Sequence, residues 1–228
     1  RINIVGNSVT NDDVIRGEMI VDEGDPFSAL LVNKSINEIK ARNIFGKVDH
    51  KMLPGSSEDL KVLEISVEEQ PTGEIMAGAG IGTDGTAFQF AINENNWLGK
   101  GVKFQTALNL STERISGNIL VKDPNYKYSN KSLKAGMSIA STDRSSSSGF
   151  KSSRTGFNLG TGFEQYENFF FTPELVVTYE DIEVDESAST GINNMEGSFF
   201  NADFAYGLIL DRRDQAWKPT QGYRTSFL

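Results

Sequence analysis

The chain of 228 residues is acidic, with a formal net charge of −9, and 38% of its residues are hydrophobic. The negative charge argues against nucleic acid as a partner, because binding to phosphates requires a basic face. The length allows one or two domains, and no apolar run approaches the roughly 18 residues that a membrane-spanning helix needs. The absence of cysteine fits either a reducing compartment or an export route without disulfides.

The first 71 residues predict a small α+β module. Apolar residues favour a strand at 2–5, and two further strands near 47–52 and 60–68. Pro54 and Gly55 predict the turn between the last two strands. The last strand is expected to place three apolar side chains on one face: Leu63, Ile65 and Val67.

Two helices are predicted between these strands. Thr10, with Asp13 three residues later, forms a capping-box pattern, which supplies acceptors for the free N–H groups that begin the first helix. Gly46 is expected to end the second helix. The second helix is expected to bury one apolar stripe, formed by Ala29, Val32, Ile36 and Ile39.

After Pro71 and Gly73, residues 72–228 predict an antiparallel meander of eight strands and the start of a ninth. Apolar and polar side chains alternate over 102–111, and about nine to eleven such residues allow a tilted strand to cross a bilayer. The strands are expected at 74–82, 86–95, 101–111, 116–123, 132–141, 154–164, 171–180, 199–210 and from 222 onward.

Aromatic side chains gather in every second connection of this meander. The other connections are polar: Asp84-Gly85, 112–115, the Ser-rich 145–153 and the acidic 181–197. A carboxylate cluster is expected in a solvated loop, with a divalent-cation or lipid-headgroup role as the alternative: Glu180, Asp181, Glu183, Asp185 and Glu186. Aromatic rings at one end of the strands favour a transmembrane β-barrel with an aromatic girdle. The aromatic connections contain Trp97, Tyr126, Tyr128, Tyr166, Phe169, Trp217 and Tyr223.

The sequence favours neither an enzyme nor a cofactor or metal site. His50, the single histidine, lies in neither a Ser-His-Asp nor an HExxH pattern. Gly78, Gly80 and Gly82 are spaced GxGxG within an alternating strand that no helix follows, unlike a phosphate-binding loop. The charged run 211–214 is interpreted as a salt-bridged turn rather than an acid/base site.

The first 71 residues resemble a POTRA domain. The segments 53–56 and 67–69, with Thr72 and Gly73, are similar to the end of the last POTRA domain and its junction with the barrel in BamA-type assembly factors. The other matching segments are Arg1-Ile2-Asn3-Ile4, Gly6-Asn7, Val14-Ile15-Arg16 with Glu18, and Glu23-Gly24-Asp25-Pro26-Phe27.

The remaining residues resemble the N-terminal half of the barrel of the same family. Three connections carry the likeness, and they would be periplasmic turns. The second contains Asn96, Trp97, Leu98 and Gly99, followed by Lys100 and Gly101. The fourth contains Asp123 and Pro124, and the eighth contains Asp211, Arg213, Asp214, Pro219, Thr220, Gln221 and Gly222.

The resemblance implies a protein that folds and inserts other β-barrel proteins into the bacterial outer membrane. It implies export by a signal peptide and a POTRA module in the periplasm. The implied partners are the lipid bilayer, unfolded barrel clients and periplasmic lipoprotein subunits, and no cofactor is implied. We expect the chain to be a fragment, because it starts at Arg1 without an initiator methionine and ends within a predicted strand.

The first strand of the meander is expected to have the weakest side-chain packing in the sheet. A weak seam beside it would open and offer free N–H and C=O groups to an incoming client strand. This predicted lateral gate contains Ile75, Ala77, Gly78, Ala79, Gly80, Ile81 and Gly82.

Other functions remain open from the sequence. A POTRA-barrel relative could instead export one partner as a translocation channel, or assemble autotransporters. A diffusion porin has no use for a POTRA module. A soluble all-β binding protein or a glycan-processing enzyme could use carboxylates such as Glu164 and Glu167, although both fall at a predicted turn.

Overall fold

The computed structural model divides the chain into two compact units. Unit 1 contains Arg1–Gly73, Asn95–Val102 and Ile209–Thr225, and unit 2 contains Glu74–Glu94, Lys103–Leu208 and Ser226–Leu228. The structure describes residues 1–57, 60–82, 85–186, 188–215 and 217–228. Asp84, which the sequence places in the first connection, lies outside the described residues.

A small α+β module forms most of unit 1. Its elements are β1 (Ile2–Val5), α1 (Asp12–Arg16), α2 (Ala29–Ala41), β2 (Phe45–Pro54) and β3 (Lys61–Glu69). The sheet has the order β1-β3-β2, in which β1 is parallel and β2 antiparallel to the central β3. This arrangement confirms the predicted α+β class.

The core of the module lies between α2 and the sheet. Its members include Leu63, Ile65 and Val67 on β3, as the alternation along that strand predicts. On α2 the buried residues are Val32, Ser35, Ile36 and Ile39, whereas the predicted Ala29 is exposed in the first turn. Ser35 is buried because its hydroxyl donates to Leu31 O and accepts from Ile20 N.

Two local predictions in the module are wrong. Thr10 does not cap α1, because Asn11 occupies the N-cap position and Thr10 makes other hydrogen bonds. Gly46 does not end α2, because the helix stops at Ala41 and Asn43 reverses the chain at a φ of 56° before β2 begins.

The nine-stranded antiparallel sheet follows. Its order is that of the sequence, so β4 and β12 are the two edge strands. Its strands are β4 (Gly73–Gly82), β5 (Gly85–Trp97), β6 (Val102–Ser111), β7 (Arg114–Asp123), β8 (Lys131–Arg144), β9 (Phe150–Tyr166), β10 (Phe169–Val184), β11 (Gly197–Asp211) and β12 (Arg224–Phe227). All nine predicted strands are present.

The polar connections are shorter than the sequence suggests. The Ser-rich connection is reduced to the one-turn helix α3 (Ser145–Ser148), because β9 already begins at Phe150. The acidic cluster is only partly a loop, since β10 continues to Val184. The same connection, between β10 and β11, contains a second one-turn helix, α4 (Thr190–Asn193). Among the described residues, no helix is long and apolar enough to cross a membrane.

Candidate functional site

The nine-stranded sheet has one apolar and one polar face. Directly paired residues lie on the same face, so the registers from β6 to β10 define both faces. A line across the apolar face contains Phe104, Val121, Ala135, Leu159 and Leu175. The adjacent line on the polar face contains Lys103, Lys122, Lys134, Gly160 and Glu174.

The apolar face is exposed rather than packed into a core. Ile119 is 49% exposed, Phe157 54% and Leu159 56%. The buried hydrophobic cluster lies between Ile2 and Val67, in the small module. An apolar surface of this extent marks contact with a membrane or with another protein.

The edge strand β4 has few stabilising side-chain contacts. All ten of its residues are exposed, including Ile75 at 81% and Ile81 at 89%. A methyl group added at Gly78, Gly80 or Gly82 would have no other atom within 4 Å. A groove of about 540 Å³ lies along this part of the sheet, partly because these positions carry no side chain.

The turn between β5 and β6 is held against the start of the small module. Asn96, which lies at the end of β5 and not in the predicted connection, is 8% exposed, and its Nδ2 donates to Thr10 Oγ1 over 2.8 Å. Its Oδ1 accepts from Gly101 N over 2.7 Å, which closes the turn. Gly99 O accepts from Asn11 N over 2.9 Å. A Cβ on Gly99, where φ is +69°, would lie 2.1 Å from Val9 O.

Arg42 forms a second contact with the same turn. Its Nη2 donates to Gly101 O over 2.7 Å, and its Nη1 lies 3.4 Å from Glu18 Oε1. The side chains of Arg42 and Glu18 are only 12% and 16% exposed. Gly101 has a φ of +65°, and a Cβ there would lie 2.4 Å from Arg42 Nη2 and 2.7 Å from Val14 Cγ1, so a side chain would displace Arg42. The arrangement positions a backbone turn.

Glu69 fixes the segment that receives this turn. Its carboxylate accepts from the backbone N–H groups of Ser8, Val9 and Thr10 and from Ser8 Oγ, at 2.6 to 3.1 Å. Burial by itself would raise the pKa of Glu69, but these hydrogen bonds outweigh it and lower the pKa to about 2. The carboxylate is therefore ionised throughout the physiological pH range.

The turn between β11 and β12 is closed by its own side chains. Asp214 accepts from Thr220 N, Thr220 Oγ1 and Gln221 N at 2.6 to 3.2 Å, and Asp211 pairs with Arg213 at 2.6 Å. The hydrogen bond from Thr220 is the main reason that the pKa of Asp214 lies below its ordinary value. Gly222 has a φ of +91°, and a Cβ there would lie 2.0 Å from Arg212 O.

This turn also reaches the small module, where Asn37 Nδ2 on α2 donates to Gln215 Oε1 over 2.9 Å. The predicted residues Asn96 and Gly99 therefore lie in the same unit as Asp211, Asp214, Thr220 and Gly222. The sequence did not assign a turn-holding role to the module residues that hold the two turns: Thr10, Asn37, Arg42 and Glu69.

The other predicted turn residues have local roles. Asp123 and Pro124 belong to unit 2, where Asp123 Oδ1 accepts from Asn125 N over 3.0 Å. Trp97 and Leu98 are exposed, with Leu98 at a φ of 56°, and Pro219 is also exposed. In the described ranges, no group of three His, Cys, Asp or Glu side chains could hold a metal ion.

Comparison with known protein families gives two matches. Residues 96–228 match the Omp85 superfamily domain, and residues 1–70 match the POTRA family, described as a surface antigen variable number repeat. The chain is 25% identical over 234 residues to outer membrane protein assembly factor BamA of Neorickettsia risticii (strain Illinois), with all of this chain and 31% of that protein covered.

A second relative and two solved structures are also similar to this chain. Identity to BamA of Nitratidesulfovibrio vulgaris is 27% over 230 residues, covering 97% of this chain and 28% of that protein. The chain thus spans less than a third of these two relatives. Its fold is similar to the crystal structure of BamA from Haemophilus ducreyi lacking POTRA domains 1–3, with a TM-score of 0.72 at 23% identity over 99% of this chain and 46% of that one. CdiB from Escherichia coli gives a TM-score of 0.58 at 14% identity, over 92% and 41%.

Proposed function

Because this chain belongs to the Omp85 superfamily, we propose that it is part of an outer-membrane protein assembly factor, which folds and inserts other β-barrel proteins. The proposed localisation is the bacterial outer membrane, with the small module in the periplasm. Likeness to proteins named BamA over nearly the whole chain supports the assembly role.

The observation that carries the proposal is the pair of unlike faces on the nine-stranded sheet. Side chains such as Phe157 and Leu159 are exposed in a continuous apolar face, and the opposite face is polar. A barrel strand in a bilayer has this alternation, because one side meets hydrocarbon and the other meets water. We therefore assign the apolar face to the lipid.

We further propose that β4 forms the weak side of a lateral seam. In a bilayer, each unpaired backbone N–H or C=O group costs several kcal/mol, so an open edge requires a partner. An incoming client strand can supply that partner by adding to the edge of the sheet. The side chains of β4 are exposed, and Gly78, Gly80 and Gly82 add no side-chain contacts, so a client strand could replace its pairing at low cost.

The proposed partners are the lipid bilayer, unfolded barrel clients and periplasmic lipoprotein subunits. The turns after β5 and β11 lie in the same unit as the small module, so that unit links the periplasmic module to the ends of the strands. The hydrogen bonds of Asn96 and Arg42 make this link specific.

The proposal is tested by closing the seam covalently in the full-length protein. A cysteine at Ile81 and a second one on the strand that closes the barrel would form a disulfide, and this part of the chain contributes no other thiol. The oxidised protein, reconstituted in lipid vesicles, is expected to lose insertion of a barrel client, measured by protease protection. Reduction should restore insertion.

Two results would contradict parts of the proposal. Insertion at the normal rate with the seam locked would exclude the lateral gate. Export of one dedicated partner, with no insertion of barrel clients by the unlocked protein, would favour the related translocation channel. The cysteine variant at Ile81 alone is the control for the substitution itself.

A further inference from the structure

Three lysines lie on a single line across the polar face of unit 2. Lys103 on β6, Lys122 on β7 and Lys134 on β8 are direct cross-strand neighbours. Like charges that face each other across strands destabilise a sheet, so this arrangement carries a cost. We name these three residues the lysine row.

Neighbouring lines on the same face do not repeat this pattern. The next line consists of Gln105, Leu120, Gly136, Asn158 and Val176, which carry no charge. Further along, Arg154 pairs in register with Glu180, so the charges balance. The lysine row is therefore a local feature and not part of a generally basic surface, in a chain whose net charge is −9.

One carboxylate offsets part of this charge. Glu174 on β10 reaches Lys134 over 2.7 Å, and its other oxygen accepts from Asn158 over 2.7 Å. The two residues meet across β9 because Gly160 stands between them, where a Cβ would lie 3.3 Å from Lys134 Cε. Lys103 and Lys122 have no ion pair among the described residues, and both are exposed.

The geometry points to an anionic ligand longer than a single small ion. Adjacent strands lie about 4.8 Å apart, so the three lysines span about 10 Å between their backbones. In an extended peptide, carboxylates on alternate residues are about 7 Å apart, which flexible lysine side chains can match. A groove of about 350 Å³ beside Lys122 and Lys134, lined also by Thr172 and Gly207, leaves room for flanking side chains.

We propose that the lysine row binds a separate polypeptide through a short segment of clustered Asp or Glu side chains. The polar face directs the lysines away from the apolar face, which disfavours lipid headgroups as the ligand. Lysine acts as a mobile point charge without the fixed fork of arginine, so the contact is weak and exchangeable. This inference rests on the proposed function, because that function is what brings unfolded polypeptide to this face.

The test measures peptide binding to the full-length protein in detergent by fluorescence anisotropy. The probe is a labelled peptide in which Glu and Thr alternate over nine residues, and its Gln-Thr analogue reports binding without charge. The Glu peptide is expected to bind more tightly, and less so as salt rises. Lys103→Gln with Lys122→Gln should weaken binding about tenfold, since exposed ion pairs each contribute up to about 1 kcal/mol.

The matched control is Lys131→Gln with Lys151→Gln, which removes two lysines whose positions share the register of the apolar face. It should leave the affinity unchanged. The exchange Lys103→Glu with Lys122→Glu should reverse the preference, so that a Lys-Thr peptide binds instead. Reversal would show that the variant sheet is folded and that charge is the determinant.

Several outcomes would overturn the proposal. These are equal binding of the Glu and Gln peptides, loss of affinity in the control pair alone, or displacement by inorganic phosphate at an ionic strength where chloride has no effect. The last result would define a small-anion site. A protein that inserts clients without binding the peptide would exclude the lysine row alone, and one that binds the peptide without inserting clients would exclude the assembly function alone.

Discussion

Gly99 is the residue of the β5–β6 turn that tolerates a side chain least. Its φ of +69° disfavours a side chain, and a Cβ would lie 2.1 Å from the backbone oxygen of Val9. We expect Gly99→Ala to destabilise the contact between this turn and the small module by at least about 2 kcal/mol, through backbone strain and displacement of residues 9–11.

The measurement is amide hydrogen exchange at Asn11, whose N–H donates to Gly99 O. Exchange in Gly99→Ala should be at least about tenfold faster than in the wild type. Gly80→Ala is the matched control, because a Cβ at Gly80 would have no neighbour within 4 Å. Equal exchange at Asn11 in both variants would show that the turn is not held as described.

Glu69 makes the stability of the same segment depend on pH. Its pKa in the folded protein is about 2, below its ordinary value of 4.5, so its contribution is fully present above pH 4.5 and is lost as pH falls toward 2. Because the carboxylate is partly open to solvent, we expect a contribution of about 2 kcal/mol rather than the full value of the shift.

Glu69→Gln should therefore accelerate amide exchange at Val9 and Thr10 at neutral pH, and the opening free energy of this segment should lose most of its dependence on pH between 4.5 and 2. Glu68→Gln is the control, since the side chain of Glu68 is 73% exposed. An unchanged pH dependence in Glu69→Gln would assign the acid sensitivity to another group.

At the scale of the element, strands were predictable wherever alternation persisted over the length of a strand. The segment 102–111 keeps a period of two, and β6 occupies that span. The predicted edge strand 74–82 likewise corresponds to β4, which begins one residue earlier. In these strands the local pattern and the cross-strand pairing agree.

Strand ends were less predictable because partners, rather than local propensity, decide them. Residues 150–153 contain serines that favour a loop, yet they extend β9 because β8 and β10 pair with them on both sides. Lys151 lies 2.8 Å from Asp143 and faces Glu183 on β10, so the charged residues support the ladder. The capping of α1 failed for a similar reason, since Thr10 bonds to residues far away in sequence.

The candidate site was only half predictable. Asn96 and Gly99 belong to a recognisable turn motif, whereas Arg42 lies 59 residues from its partner Gly101 and has no local signature. Thr10 and Asn96 are separated by 86 residues. A local pattern identifies a turn, but only the folded chain shows which side chains hold it.

At the scale of the whole molecule, the apolar and polar faces of the sheet make different demands on their surroundings. The small module has its own buried core, so it is stable in water in the ordinary way. The nine-stranded sheet instead exposes residues such as Met137 and Phe157 on one face, which the proposed function assigns to lipid. A lysine introduced on the apolar face should therefore lower the free energy of unfolding more than one introduced on the polar face.

Met137 and Ser138 provide the test, because they are adjacent near the middle of β8 and lie on opposite faces. In vesicles, Met137→Lys should lower the free energy of unfolding of the full-length protein by about 2–4 kcal/mol, the cost of a lysine facing the centre of a bilayer. Ser138→Lys should change it by less than about 1 kcal/mol, because the polar face is hydrated. Urea titrations of both variants measure the difference. If Ser138→Lys lowered the free energy of unfolding more than Met137→Lys, the polar face would be the packed one and the basis for membrane insertion would be lost. The expected order would show that the apolar face contacts hydrocarbon.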